Sequence, residues 1–160
     1  MKNTSHIILA SLALILSACG DNTNHAELIN TKASLPPSFN FAKLGLKVIT
    51  SSINKKQGTM STLYGNALAL NNAGTDDKAI VPGEILALVT WKQQSDEHWF
   101  GANIPGDLQT VEMIKTTPGG TGASINYQRF KGKNLNFNAD TSGRQARIKY
   151  IFDLKPSIMP

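Results

Sequence analysis

The chain has a single cysteine, Cys19, and that scarcity removes several kinds of chemistry at once. A disulfide framework, a Cys-ligated zinc site and a redox dithiol each need more than one thiol. Histidine is nearly as scarce: His98 is the only one of the three that falls where a folded domain patterns. No Ser or Thr sits in a nucleophile elbow. The glycine-rich run at 116–122 lacks the following Lys-Ser/Thr of a phosphate loop and its strand-to-helix context, so it reads as a hairpin connection. Basic residues are in mild excess but scattered, with Lys55-Lys56 and Lys131/Lys133 the nearest to clusters, and no aromatic ladder runs between them. Nucleic acid is therefore not an expected partner, and these residues read as solvated turn charges.

What is present begins at the N-terminus. Lys2 supplies a positive charge, residues 7–16 form an apolar stretch too short to span a bilayer with ease, and Leu16-Ser17-Ala18-Cys19 follows. This is a lipobox, in which small residues fit a signal-peptidase cleft and the Cys19 thiol takes a diacylglycerol before cleavage. The expected organisation is a lipoprotein signal peptide at 1–18, a lipidated tether at 19–34 and one domain at 35–160. With Cys19 acylated, no thiol remains for catalysis. Each buried acyl methylene contributes about 0.8 kcal/mol, so two or three chains hold the protein stably on a membrane. Gly20 stands where an inner-membrane retention signal carries Asp, which places the anchor in the bacterial outer membrane, on its periplasmic face. Loss of Lys2 leaves 15 basic against 11 acidic residues, a formal charge of +4.

Residues 20–34 are polar and include His25, with too few apolar groups to order themselves. After Pro36-Pro37, Ser38 is placed to cap a short helical turn over 39–44 that Gly45 ends. From Leu46 the pattern has period two, with Leu46, Val48 and Thr50 on one face, then a polar turn at 54–58 and a return strand at 59–64. Asn66 is a candidate N-cap for a helix over 67–70 closed by Gly74. Asp76-Asp77 reads as a solvated loop pair, because adjacency alone does not converge two carboxylates.

Residues 84–106 hold both tryptophans and His98. Ile85, Ala87, Val89 and Trp91 alternate with Leu86, Leu88 and Thr90, so both faces need cover and the strand is expected at the centre of a sheet. Residues 108–115 alternate again, with Val111 and Met113 opposite Glu112 and Ile114. A strand follows at 123–130 with Ile125 and Tyr127 on one side. A polar loop leads to a last strand at 147–154, with Ile148, Tyr150, Phe152 and Leu154 on one face. The expected fold is α+β and mostly β: an antiparallel sheet of five or six strands with one or two short helices packed on it. About 120 residues suffice for one core.

The series Thr50-Ser51-Ser52, Gly58-Thr59, Tyr64-Gly65-Asn66, Pro82-Gly83, Trp91-Lys92, Ile104-Pro105-Gly106 and Val111-Glu112-Met113 resembles the cytochrome P-460 family over roughly residues 35–130. The resemblance implies a periplasmic antiparallel domain, often dimeric, whose relatives oxidise hydroxylamine on a covalent c-type haem cross-linked to a lysine. This chain departs from that pattern: it has no C-x-x-C-H, no His after His98, and Leu88 where the cross-linking lysine falls. Covalent haem is thereby excluded.

What the resemblance leaves is a pocket for noncovalent haem or another small ligand. His98 is the candidate metal ligand, with Trp99 and Phe100 as an apolar wall, Met113 or Tyr127 nearby, and Leu88 in the lining. Glu97 beside His98 has no recognisable nucleophile to serve. Trp99-Phe100 also reads as a core anchor or an interface patch. Two functions follow: a membrane-anchored binder of haem or another small ligand in a redox or small-nitrogen-compound context, or a non-catalytic envelope module whose aromatic loop contacts another protein or its own copy. A hydrolase of envelope polymers has only scattered carboxylates in its favour.

Overall fold

The computed structural model describes residues 29–75, 79–120, 122–140 and 142–156. The expected signal peptide, the lipidation site Cys19, His25 and the Asp76-Asp77 pair lie outside the described residues. A compact unit begins at Thr31 and contains every element below.

Six strands form one antiparallel sheet in which each pairs with its neighbours in sequence: β1 (Lys47–Asn54), β2 (Thr59–Gly65), β3 (Ile85–Ser95), β4 (Asn103–Gly119), β5 (Gly122–Lys131) and β6 (Asn136–Asn138). The order follows from short connections. Between β1 and β2, the Asn54 side chain accepts from the Gln57 amide at 3.1 Å and Gly58 takes φ +60°, a left-handed conformation costly for other residues. Helix α1 (Ala67–Ala73) leaves β2 at Asn66, whose Oδ1 accepts from the Ala69 amide at 3.1 Å. The Nδ2 of the same side chain donates to the Gly83 carbonyl at 2.8 Å, tying the helix to the approach of β3.

The simple alternation expected in β1 does not hold. Val48 pairs with Tyr64 and Thr50 with Leu63, leaving Ile49 as the extra residue of a β-bulge. Val48 is 55% exposed, while Ile49 and Thr50 are both buried. Gly65 makes room for this: a Cβ there would lie 2.6 Å from Ile49 Cδ1.

β3 is central, and its two faces carry separate cores as the alternation predicts. Ala87, Val89 and Trp91 join Leu108, Val111 and Met113 on the first face, closed by Phe41, Leu46 and Leu135. The segment over that face turns at 41–45 rather than forming a helix, and Asn40, not Ser38, accepts a backbone amide, that of Lys43. Trp91 Nε1 donates to the Ala33 carbonyl at 2.8 Å, so ordered packing starts within the segment expected to be tether. On the second face, Leu63, Leu86, Leu88 and Ile114 pack with Ile49 and with Ala69 of α1. Each of the buried Leu and Ile side chains contributes roughly 1.5–3 kcal/mol by leaving water.

The last element corrects the expected strand at 147–154: it is helix α2 (Arg144–Asp153). Ile148 and Ile151 are buried and Arg147 and Phe152 half-buried, whereas Tyr150 is 41% exposed. That is the i, i+3, i+4 pattern of a helix face. The apolar alternation was coincidental, because Ile148 and Phe152 are also four apart. Arg, Gln, Ala and Lys favour helix, Lys149 pairs with Asp153 at 2.6 Å one turn on, and the second core needs a lid over Leu86 and Leu88.

Candidate ligand-binding site

The second face of the sheet changes character across a single row. Ser52, Ser61, Thr90, Thr110 and Lys131 stand opposite one another on five successive strands. The adjoining row on the core side runs Leu63, Leu88, Glu112, Arg129. Side chains two apart share a face, so leucines give way to hydroxyls along the same strands. Ser61 Oγ and Thr90 Oγ1 are hydrogen-bonded at 3.0 Å.

α2 roofs only the apolar half. Its Arg147 and Tyr150 reach the border, and beyond them a cavity of about 350 Å³ opens over the hydroxyl rows, with Asn54, Gln57 and Thr59 closing its far end. Its charged lining is Arg129, Lys131 and Arg147 against Glu112 alone, a formal excess of two positive charges.

Glu112 organises the border. It is 2% exposed, accepts from Arg147 Nε at 3.0 Å and Nη2 at 2.5 Å, and receives a short hydrogen bond from the Tyr127 hydroxyl. Arg129 Nε lies 3.5 Å from the same carboxylate and donates to Tyr127 Oη at 2.9 Å. Burial by itself would raise the Glu112 carboxyl, but the hydrogen bonds from Arg147 and Tyr127 and the charges of Arg147 and Arg129 outweigh it and hold the group below its ordinary range. Burial, together with the hydrogen bond to Glu112 and its charge, pushes the Tyr127 hydroxyl up to about 12. Neither group is placed to exchange a proton near neutral pH, so the cluster holds charge in position.

The residues singled out from sequence divide sharply. Leu88 is 1% exposed in the second core, between Leu63 and Glu112, next to the cavity but not in its lining. Tyr127 adjoins through its bond to Glu112, its ring 5.9 Å from the guanidinium carbons of Arg129 and of Arg144. His98, Trp99 and Phe100 are elsewhere, in the loop joining β3 to β4, beyond the Ser95–Asn103 pair. At ~3.3 Å per residue that end of the strand is roughly 20 Å from Leu88.

The loop holds its shape through its backbone: the His98 amide donates to Asp96 Oδ1 at 2.8 Å, Asp96 N to the Ala102 carbonyl at 3.0 Å, and Ala102 N to the Trp99 carbonyl at 3.0 Å. Trp99 is 72% exposed and Phe100 109%, so they neither anchor a core nor wall a pocket. Met113 is in the core of the opposite face. No three His, Cys, Asp or Glu side chains converge as a metal site among the described residues.

Comparison with family models and with curated proteins finds no match for this chain. The cavity must be judged on its own residues. Its lining contains no imidazole, thiolate or thioether; Tyr150 is its one side chain of a type that ligates haem iron, and the remaining walls are hydroxyl, amide and charged rather than apolar, which suits haem poorly. They fit a small polar anion. In sequence, Lys131 reads only as part of a scattered basic pair with Lys133, and neither Arg129 nor Arg147 is singled out, because each is unremarkable alone. The signal was present as alternate polar positions within strands: Ser52 and Asn54, Thr59 and Ser61, Thr110 and Glu112, Arg129 and Lys131.

Proposed function

We propose that this protein is a lipid-anchored module of the bacterial outer membrane that binds a small anionic ligand, a phosphate or carboxylate compound bearing hydroxyls, in the cavity beside α2. The observation that carries the reading is the row Ser52, Ser61, Thr90 and Thr110 set beside Arg129, Lys131 and Arg147. Hydroxyls donate and accept, which suits a polyhydroxylated body, and the excess positive charge suits its acidic group. The lipobox at Cys19 supports the location, and the cavity lies on the face where the cytochrome P-460 resemblance would place a pocket. Glu112 and Tyr127 are committed to each other and to arginine, which supports a role in binding for this cluster.

The test is calorimetric titration of the full chain with glycerol phosphate, citrate and uncharged glycerol. The anions are expected to bind, more weakly at high salt, with Lys131→Gln and Thr90→Val each lowering affinity. Equal affinity for glycerol, or binding indifferent to Lys131→Gln, refutes it. Mass spectrometry of the membrane-extracted protein tests the diacylglycerol on Cys19 separately.

The exposure of Trp99 and Phe100 on a backbone-braced loop favours a second reading, in which this tip contacts a second copy of the chain. Sedimentation of Trp99→Ser with Phe100→Ser tests it: an unchanged mass rules out self-association through the tip.

A further inference from the structure

A second cavity lies on the other flank of α2. Arg147 and Tyr150 point to the anion site, while Ile148 and Phe152 line a cleft of about 330 Å³ between α2 and α1. Ala69 and Ala73 of α1 and Leu86 of β3 form the opposing wall. This is the size and apolar character of small-molecule sites.

One residue in its lining does not suit an apolar cleft. Glu84 is 1% exposed. Its Oε1 accepts from Asn72 Nδ2 at 2.8 Å and its Oε2 from the Val81 amide at 3.3 Å, both neutral donors. Among the described residues no cation lies within ion-pairing distance of it. This differs from Glu112, which is as deeply buried and has two arginines.

A carboxylate offers about four acceptor positions, and two of Glu84's are taken by the Asn72 and Val81 donors. With no counter-ion among the described residues, burying such a charge is costly, and a bound cation relieves the cost. At the rim, Lys149 and Asp153 neutralise each other at 2.6 Å, so among the described lining residues the net charge is −1, from Glu84.

We infer that this cleft binds an organic cation with an aliphatic body, a primary alkylamine in the simplest case, its ammonium on Glu84 and its chain along Ala73, Leu86 and Ile148. The Asn72 and Val81 contacts hold the carboxylate in place before the ligand arrives, so little ordering is spent on binding. The site is independent of the anion cavity, since no lining residue is shared.

Methyl NMR on the full chain tests this, with the Ala69, Leu86, Ile148 and Ile151 methyls as local reporters and n-hexylamine, n-hexanol and hexanoate as probes. Hexylamine is expected to shift these methyls saturably and to bind at least ten-fold more tightly than hexanol. Glu84→Gln, which keeps an acceptor for Asn72, should remove that preference and leave hexanol unchanged. Ala73→Phe, which fills the cleft without touching the carboxylate, should abolish all saturable shifts and keeps the test open should Glu84→Gln not fold. Hexanoate binding as tightly as hexylamine, Glu84→Gln binding the amine like the parent, or no saturable shift with hexylamine overturns the inference.

Discussion

Replacing Glu112 by Gln isolates the charge at the border between core and cavity. The side chain is 2% exposed and accepts from Tyr127 Oη and from two nitrogens of Arg147. Hydrogen bonds to a charged group contribute roughly 1.5–3 kcal/mol each. Burial of the carboxylate offsets much of that sum. Gln keeps one acceptor but turns a donor toward Arg147, whose side chain is 36% exposed and can regain water in part. The expected loss is about 2–4 kcal/mol, between the cost of an exposed pair and of a fully buried one. At ~3–5 °C per kcal/mol for a domain of this size, the melting temperature falls by roughly 6–20 °C.

Urea unfolding followed by far-UV circular dichroism measures the loss, and its pH dependence identifies the cause. The folded carboxyl titrates below its ordinary value of 4.5, so its stabilisation is complete above that value and lost as pH falls through the lower folded one. The gap between parent and Glu112→Gln should therefore be constant from neutral to about pH 5 and close in stronger acid. Arg147→Met in the same background should restore part of the loss, with a coupling of at least about 1 kcal/mol. A loss below about 0.5 kcal/mol, or a gap independent of pH down to acid unfolding, refutes the argument that the cluster holds the border through charge.

Tyr127, one of three tyrosines, has its hydroxyl pushed up to about 12; its contribution is complete below the ordinary 10.0 and lost as pH rises through the folded value. Difference absorbance should show a tyrosine titrating last, and Tyr127→Phe should remove that step. Ile151→Ala empties a fully buried position between α2 and the sheet and should cost about 2–4 kcal/mol in urea unfolding, a loss that a strand with Ile151 facing outward would not show. Gly65→Ala would put a methyl 2.6 Å from Ile49 Cδ1 and 3.0 Å from Ala69 Cβ, at a cost of about 1–3 kcal/mol in the same assay. Trp99→Ser with Phe100→Ser should change stability by less than about 0.5 kcal/mol, because neither ring is buried.

The parts of the fold legible in sequence are those whose cause is local. Asn66 caps α1 through its own side chain, and β3 shows its two faces because Ala87, Val89 and Trp91 alternate with Leu86 and Leu88. Ile49 escaped that reading because a bulge depends on the partner strand, where Gly65 leaves the space it fills. α2 reads as a strand in sequence because Ile148, Tyr150, Phe152 and Leu154 alternate, while Ile148, Ile151 and Phe152 also make a helical face, and only the face to be covered chooses between the two. At the site, Leu88 and Tyr127 were found near the cavity, whereas His98, Trp99 and Phe100 drew attention through residue type and lie on an exposed loop.

An α+β, mostly β domain built on one antiparallel sheet follows from the amino-acid order alone, since alternation and turn residues act over a few positions and bring neighbouring strands together. Where charge and hydroxyls converge depends on how the strands and α2 come together. Ser61, Thr90 and Thr110 are about 20–30 residues apart and meet through pairing register, while Arg147 reaches Glu112 because α2 folds back across the sheet. A one-residue shift in any of these pairings would send the row to the opposite face. The site is thus a property of register, which no single strand contains.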